Sequence, residues 1–114
     1  MKHSVGKVIP AATLTEVFTV PAGYKAEVST LFASNHTGNN KTITLYWQHA
    51  HDITHKIYIV FDYVLSSNNY LQFSDSMVMQ SGDSIQVLTE AGSEMSVIAS
   101  FDLYKENTVP FMAD

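Results

Sequence analysis

Apolar and polar residues alternate along most of the chain, which is the pattern of β-strands that bury one face. The alternation predicts strands over residues 14–20, 24–35, 42–50, 56–65, 70–73, 77–79, 85–89 and 95–103. Val8 and Ile9 precede Pro10 and predict a short edge strand or an arm, because proline cannot donate a hydrogen bond within a sheet. About eight short strands at even spacing predict an all-β fold: a single-domain antiparallel β-sandwich, jelly-roll-like, with N- and C-terminal arms.

Local features refine the strand prediction. The apolar positions of residues 24–35 change phase at Ser29 and Thr30, which predicts a β-bulge that keeps a bending strand facing the core. The turn before this strand contains Pro21, with its fixed φ, and Gly23, which tolerates positive φ. Residues 35–40 contain turn-forming residues and no apolar one, so we expect a hairpin loop there.

The strand over residues 56–65 differs from the others because it is apolar on both faces. Ile57, Ile59 and Phe61 alternate with a second apolar set, which consists of Tyr58, Val60 and Val64. We expect this strand to be buried on both sides, either in a contact between subunits or through an exchange between sheets. Covering by the chain's own loops explains the pattern equally well. In the preceding strand, Ile43, Leu45 and Trp47 are predicted to face the core.

Length and composition place these strands in one domain. With 114 residues and 46% hydrophobic content, the chain can bury a core without a disulfide or a metal, and it contains no cysteine. We assign residues 1–12 to the N-terminal arm or edge strand, residues 13–104 to the sandwich and residues 105–114 to a C-terminal tail. The net charge of −5 and six dispersed basic residues argue against nucleic-acid binding. No apolar run reaches the length of a membrane span or a signal peptide, so we expect no membrane partner.

Residues 49–55 contain the one cluster with metal-ligand composition. His49 and His51 would point the same way if the strand reached them, and His55 could fold back from the turn. No further ligand follows on the late strands, so we predict no metal and keep these histidines as weak candidates. The alternative is that His49 and His51 lie at the rim of the sheet, where they cap strand ends or meet a neighbour whose contact responds to mildly acidic pH.

Catalytic and cofactor motifs are absent from the sequence. No serine lies in a nucleophile elbow, the carboxylates are dispersed, and the glycines are single, so we predict no enzyme activity, catalytic residue or cofactor. Asp83 is expected to cap its own turn beside Gly82. The aromatic residues favour core and interface roles, and a sugar-stacking platform is the alternative. That platform would be built from Tyr46, Trp47, Tyr58, Tyr63 and Tyr70.

Several short motifs together resemble the small structural proteins of tailed bacteriophages. In these proteins a TVPAG turn precedes a strand that ends in Asn before a Gly-containing loop, and a GD turn opens a late strand. The matching segments are FTVPAG over residues 18–23, the strand over residues 26–35, the loop through Gly38, TITLYW over residues 42–47 and GDSIQV over residues 82–87.

The resemblance implies a non-enzymatic virion protein, made in the host cytoplasm, that assembles symmetrically. We expect a capsid decoration (cement) protein that binds the major capsid protein as a homotrimer and stabilises the shell, with arms that reach adjacent proteins. A head-tail connector or tail protein is the alternative, and a receptor- or glycan-binding module is another. The interface candidates are Tyr46, His49, His51, Tyr58, Val60, Asp62 and Val64.

Overall fold

A computed structural model describes residues 2–52, 54 and 56–105 and contains nine β-strands in this part of the chain. Apolar residues alternate along these strands, so the apolar side chains of each strand point to one face and enter a shared core. In chain order the strands are β1 (Lys2–Ile9), β2 (Thr15–Thr19), β3 (Tyr24–Asn35), β4 (Lys41–Gln48), β5 (Lys56–Leu65), β6 (Tyr70–Phe73), β7 (Met77–Met79), β8 (Ser84–Thr89) and β9 (Met95–Lys105).

The strands form two packed antiparallel sheets. The first has the order β1-β9-β3-β6, with β7 also paired to β3, and the second has the order β2-β8-β4-β5. β6 and β7 lie one after the other along β3, so nine strands fill eight positions. β4 and β5 are consecutive in the chain and pair with each other. Apart from the link between β6 and β7, every other connection crosses from one sheet to the other, as in a jelly roll. The predicted all-β sandwich is therefore confirmed.

The crossing connections correct one prediction. Residues 35–40 join β3 of the first sheet to β4 of the second, so they do not form a hairpin. The turn-forming residues were recognised, but a crossing loop and a hairpin loop use the same residue types. The turn between β2 and β3 also crosses: Tyr24 N–H donates to Pro21 O at 3.1 Å, and Gly23 has the positive φ, 82°, that its sequence position predicts.

The core lies between the two sheets and is filled by aliphatic side chains with one aromatic pair. Phe18 of the second sheet stacks on Phe101 of the first, with ring centroids 3.9 Å apart. Fully buried side chains of the core include Leu31 of β3 and the alternating Ile43 and Leu45 of β4. Burying each such side chain stabilises the fold by about 1.5–3 kcal/mol.

Bulges keep the bending strands in phase with this core. The register between β3 and β9 shifts between Val28 and Thr30, which confirms the bulge that the phase change predicted. β2 contains a second shift between Glu16 and Phe18, and there Val17 and Phe18 are both buried although they are consecutive. An inserted residue thus turns two neighbouring side chains toward the core.

The N-terminal segment is an edge strand rather than a free arm over residues 2–9. All eight residues of β1 pair with β9, from Lys2 opposite Asp102 to Ile9 opposite Met95. Lys7 Nζ donates to Glu16 O at 2.8 Å and so joins the edges of the two sheets. Residues 106–114 of the predicted C-terminal tail lie outside the described residues. Within the described part of the chain, no helix is long and apolar enough to cross a membrane.

The aromatic pair gives a direct test of the core. We expect Phe101→Ala to lower the free energy of unfolding by about 3–5 kcal/mol, because it removes the ring that joins the sheets and leaves a cavity. Val78→Ala is the control, since Val78 is 52% exposed on β7 and its truncation should cost less than about 1 kcal/mol. Urea unfolding measures both values, and equal losses would contradict this description of the core.

Candidate functional site

β5 is the edge strand of the second sheet, and most of its side chains are exposed. Leu65 is its one fully buried residue, Ile59 and Val60 are half-buried against the core, and Tyr58, Phe61 and Val64 are 52–63% exposed. The expectation of a strand buried on both sides is therefore wrong for the single chain. Loops of the described chain do not cover the strand either, so its apolar outer side is free to contact another molecule.

Two bulges explain why the alternation misassigned the faces of β5. The register with β4 shifts between the partners of Ile43 and Leu45, and again between those of Leu45 and Tyr46. At the first shift Asp62 has a φ of 45°, and its N–H donates to Thr44 Oγ1 at 2.9 Å. The inserted residues turn Phe61 to the same side as Tyr58, which a regular strand would place opposite.

The bulges assemble an aromatic cluster on the outer side of the second sheet. The rings of Tyr46 and Tyr58 lie 5.0 Å apart, and Phe61 meets Tyr58 edge-on at 4.8 Å. Lys56 Nζ lies 4.8 Å from the centre of the Tyr46 ring. Burial, followed by the charges of Tyr58 and Asp62, raises the pKa of Tyr46, so its hydroxyl is neutral at ordinary pH. We call Tyr46, Tyr58, Phe61 and Val64 the β5 face.

A second cluster surrounds Asp83 where β4 ends. Asp83 is buried, and its carboxylate accepts hydrogen bonds from Gln80 N–H at 3.0 Å, Ala50 N–H at 3.0 Å and Trp47 Nε1–H at 3.2 Å. His49 Nδ1 lies 3.6 Å from the same carboxylate. The bond to Gln80 confirms that Asp83 caps its own turn, and the other contacts attach this turn to the end of β4.

Close packing supports the Asp83 cluster. Gly82 has a φ of 86°, and a Cβ added there would lie 2.8 Å from Ala50 Cβ, so both its conformation and its surroundings require glycine. Burial alone would raise the pKa of Asp83, but the hydrogen bonds from Ala50, Gln80 and Trp47, and then the nearby His49, outweigh it and lower the pKa. The carboxylate is therefore held in its charged form.

The histidine candidates do not form a metal site within the described residues. β4 ends at Gln48, so His49 and His51 lie in a turn, and the expectation that both point the same way from a strand is wrong. The His49 ring lies 5.0 Å from the Trp47 ring beside Asp83, with the two planes tilted by 47°, and His51 is exposed. Among the described residues, no three His, Cys, Asp or Glu side chains are placed to hold a metal, and His55 lies outside them.

The structure divides the predicted interface residues between different places. Tyr46, Tyr58 and Val64 lie on the β5 face, Asp62 forms the adjacent bulge, and Val60 packs against the core. His49 and His51 lie at the end of β4. The five aromatic residues of the sugar platform are also separated: Trp47 packs against the core, Tyr63 lies on β5, and Tyr70 belongs to the other sheet, so that single platform is wrong.

Sequence reasoning missed two contributors to these sites. Strict alternation predicts Phe61 on the face opposite to Tyr58. The one residue that indicates otherwise is Asp62 next to Phe61, because Asp tolerates the left-handed conformation found at a bulge. The contacts of Asp83 with Trp47 and Ala50 join residues more than thirty positions apart, and no local pattern reports such a pairing.

Comparisons with known proteins establish the fold and no family. No protein-family model matches the sequence, and no curated protein is similar to it. Among solved structures, the chain is similar to a protein of Bacillus endospore appendages, which form a family of disulfide-linked pili. The TM-score is 0.56 with 15% sequence identity, over 94% of this chain and 87% of the other. At this identity the likeness shows a shared sandwich fold alone.

The Asp83 cluster predicts a pH-dependent contribution to stability. We expect Asp83→Asn to lower the free energy of unfolding near neutral pH by about 1–3 kcal/mol for each buried donor left without an acceptor. Folding lowers the pKa of Asp83. The carboxylate therefore contributes fully to stability above its ordinary pKa of about 3.9, and this contribution is lost as the pH falls through its pKa in the folded protein. The difference between the two proteins should therefore shrink below about pH 4.

Urea unfolding at a series of pH values measures this difference. Asp75→Asn is the control, because it removes the same charge from an exposed position and should change stability near neutral pH by less than about 0.5 kcal/mol. A difference between wild type and Asp83→Asn that stays constant into the acid range would contradict the assigned role.

Proposed function

We propose that this chain is a non-enzymatic structural subunit of a tailed-phage virion, and specifically a capsid decoration protein that binds the shell as a homotrimer. The observation that carries the assembly role is the β5 face, an apolar outer surface on an edge strand. Phage origin and trimeric state rest on the resemblance of the turn and strand motifs. The occupant assigned to the β5 face is a neighbouring copy of the same chain.

The composition of the β5 face supports a contact between protein subunits. Its four residues are aromatic or aliphatic, and the only charged residues on the strand are Lys56 and Asp62, of opposite sign. Interface centres are depleted in charge and enriched in Tyr and Phe, which contribute large contact areas. Tyr46 beneath Tyr58, and Phe61 against it, hold the rings in place before contact, which reduces the entropy lost on association.

The likeness to a pilus protein supports an assembly role in general terms and does not favour a pilus over a virion. The appendages of that comparison are disulfide-linked, whereas the 114 residues of this chain contain no cysteine. Disulfides between the residues of this sequence are therefore excluded, and burial of the apolar β5 face is the source of affinity that we propose. This is why the face is the place to test the proposal.

The oligomeric state tests the assignment of the β5 face. We expect the wild-type protein to associate in a concentration-dependent manner and Val64→Lys to weaken association by at least about tenfold, since the contact would bury an unpaired charge. Val78→Lys is the matched control, because Val78 is about equally exposed on an edge strand of the first sheet, at 52% against 58% for Val64.

Sedimentation equilibrium over a range of protein concentrations measures these constants. A wild-type protein that stays monomeric throughout, or equal weakening by the two lysine substitutions, would show that the β5 face is not a contact between copies. A trimer supports the decoration role, and a larger closed ring supports the head-tail connector instead.

Copy number in the particle separates the two virion roles. Decoration proteins cover the capsid lattice, so we expect hundreds of copies per particle, whereas a connector ring would contribute about a dozen or fewer. Quantitative mass spectrometry of purified particles against labelled peptides of this chain measures the number. Absence of the chain from particles that are otherwise complete would contradict a virion role of either kind.

A further inference from the structure

A shallow cleft lies on the outer side of the first sheet, whereas the β5 face lies on the second. It forms where β3 ends beside the turn between β5 and β6, and it has a volume of about 360 Å³. Its lining residues include the aromatic pair Phe32 and Tyr70 and the polar residues Ser34, His36, Asn68 and Asn69. The volume is at the small end of the ~300–1,000 Å³ range of ligand sites, so it suits a ligand of one or two rings.

The aromatic pair presents a flat apolar surface to the cleft. Tyr70 lies opposite Ser34 on the outer side of the sheet and stacks on Phe32, with centroids 5.0 Å apart and planes at 18°. Phe32 covers one side of the Tyr70 ring, and 57% of Tyr70 nevertheless remains exposed. A supported aromatic ring of this kind can stack against the C–H face of a ligand ring, while the Tyr70 hydroxyl stays available for a hydrogen bond.

Two asparagine side chains provide hydrogen-bonding groups beside the ring. Asn69 Oδ1 accepts from Tyr70 N–H at 2.8 Å, which leaves its amide N–H groups to donate elsewhere. The Asn68 side chain has no hydrogen-bond partner among the described residues, and the left-handed φ of Asn68, 55°, fixes the turn that carries it. A primary amide both donates and accepts, so it matches a hydroxyl group, which does the same.

The turn that carries these amides is fixed from below by Asn35. This buried side chain donates from Nδ2 to Leu65 O at 2.9 Å and accepts from Thr37 N–H on Oδ1 at 2.8 Å, while its backbone N–H donates to Asn69 O at 2.9 Å. Asn69 N–H closes the turn on Ser66 O at 3.1 Å. The cleft is thus formed without a ligand, which lowers the entropy cost of binding.

The charge of the lining decides the ligand class. None of the described residues that line the cleft is Lys, Arg, Asp or Glu, and His36 Nε2 is hydrogen-bonded to Ser34 Oγ at 3.1 Å, so no permanently charged side chain there selects a phosphate, a carboxylate or a cation. From the supported ring, the free amides and this neutrality, we infer that the cleft at Phe32 and Tyr70 is a binding site for a neutral carbohydrate. One sugar ring stacks on Tyr70, and its hydroxyls bond to Asn68 and Asn69. This site is independent of the proposed assembly role.

NMR titration of the ¹⁵N-labelled full chain tests the site. The probes are the methyl glycosides of glucose, galactose and N-acetylglucosamine, added to about 10 mM because a single shallow sugar site binds in the millimolar range. We expect at least one glycoside to shift the backbone amide of Tyr70 and the side-chain amides of Asn68 and Asn69. Tyr70→Ala should weaken this binding by at least about tenfold through loss of the stacked ring.

Two further variants separate recognition from folding. Asn68→Gly keeps the left-handed conformation and removes the amide, so it should weaken binding about two- to tenfold. Tyr104→Ala is the control, because it removes an exposed tyrosine of the same sheet, on β9 opposite Lys25 at the other end of β3, and should leave binding unchanged. Spectra of the free variants that overlay on wild type away from the substitution show that each is folded.

The outcomes decide the inference independently of the oligomeric state. Shifts confined to the cleft, lost in Tyr70→Ala and kept in Tyr104→Ala, support it. No shift with any of the three glycosides, shifts centred on the β5 face, or equal loss in the two tyrosine variants would overturn it. A trimer that binds no sugar would leave the proposed function standing and remove this site alone.

Discussion

The core admits apolar side chains from one face of each strand, and this constraint governs the rest of the structure. A regular strand meets the constraint at every second residue, but a strand that bends loses its phase unless a residue is inserted. β2, β3 and β5 each contain such insertions. In β2 the insertion buries Val17 and Phe18 in succession, and in β5 insertions leave Ile59 and Val60 against the core. The exposed aromatic cluster is thus a consequence of keeping the core filled.

Local sequence patterns were sufficient for most strands and insufficient for their connections. They indicated only Val8 and Ile9 of β1, and they extended β4 to Ala50 although it ends at Gln48. The bounds of β3, β5, β6 and β7, and the bulge at Ser29, follow from alternation and turn residues, which act over a few positions. The jelly-roll pairing brings together residues that are far apart in the chain, and the loop over residues 35–40 was therefore mistaken for a hairpin. In β5 both phases are apolar, so the alternation did not report the two bulges, and Asp62 was the one residue whose type indicated an irregularity.

The candidate sites were predictable to the extent that their residues depend on neighbours in sequence. The turn-capping role of Asp83 follows from its place after Gly82, while its bonds to Trp47 and Ala50 need the folded sheet. The same holds for Phe32 and Tyr70, which meet because Tyr70 pairs with Ser34 across two strands. The β5 face belongs to the second sheet and the cleft to the first, so the two surfaces depend on different strand pairings.

The crossing connections also determine how this chain folds. β9 lies between β1 and β3 in the first sheet. These two strands therefore cannot be joined until β9, the last described strand, has been synthesised. β3 is complete at Asn35, and its partner strand begins at Met95, 60 residues later. At about 5–20 residues synthesised per second, β3 therefore waits roughly 3–12 s on the ribosome without its main partner. Pairings between such distant segments also make folding slow, in the range of milliseconds to seconds. The nascent chain exposes part of its future core throughout this interval, and exposed apolar surface of this kind favours aggregation.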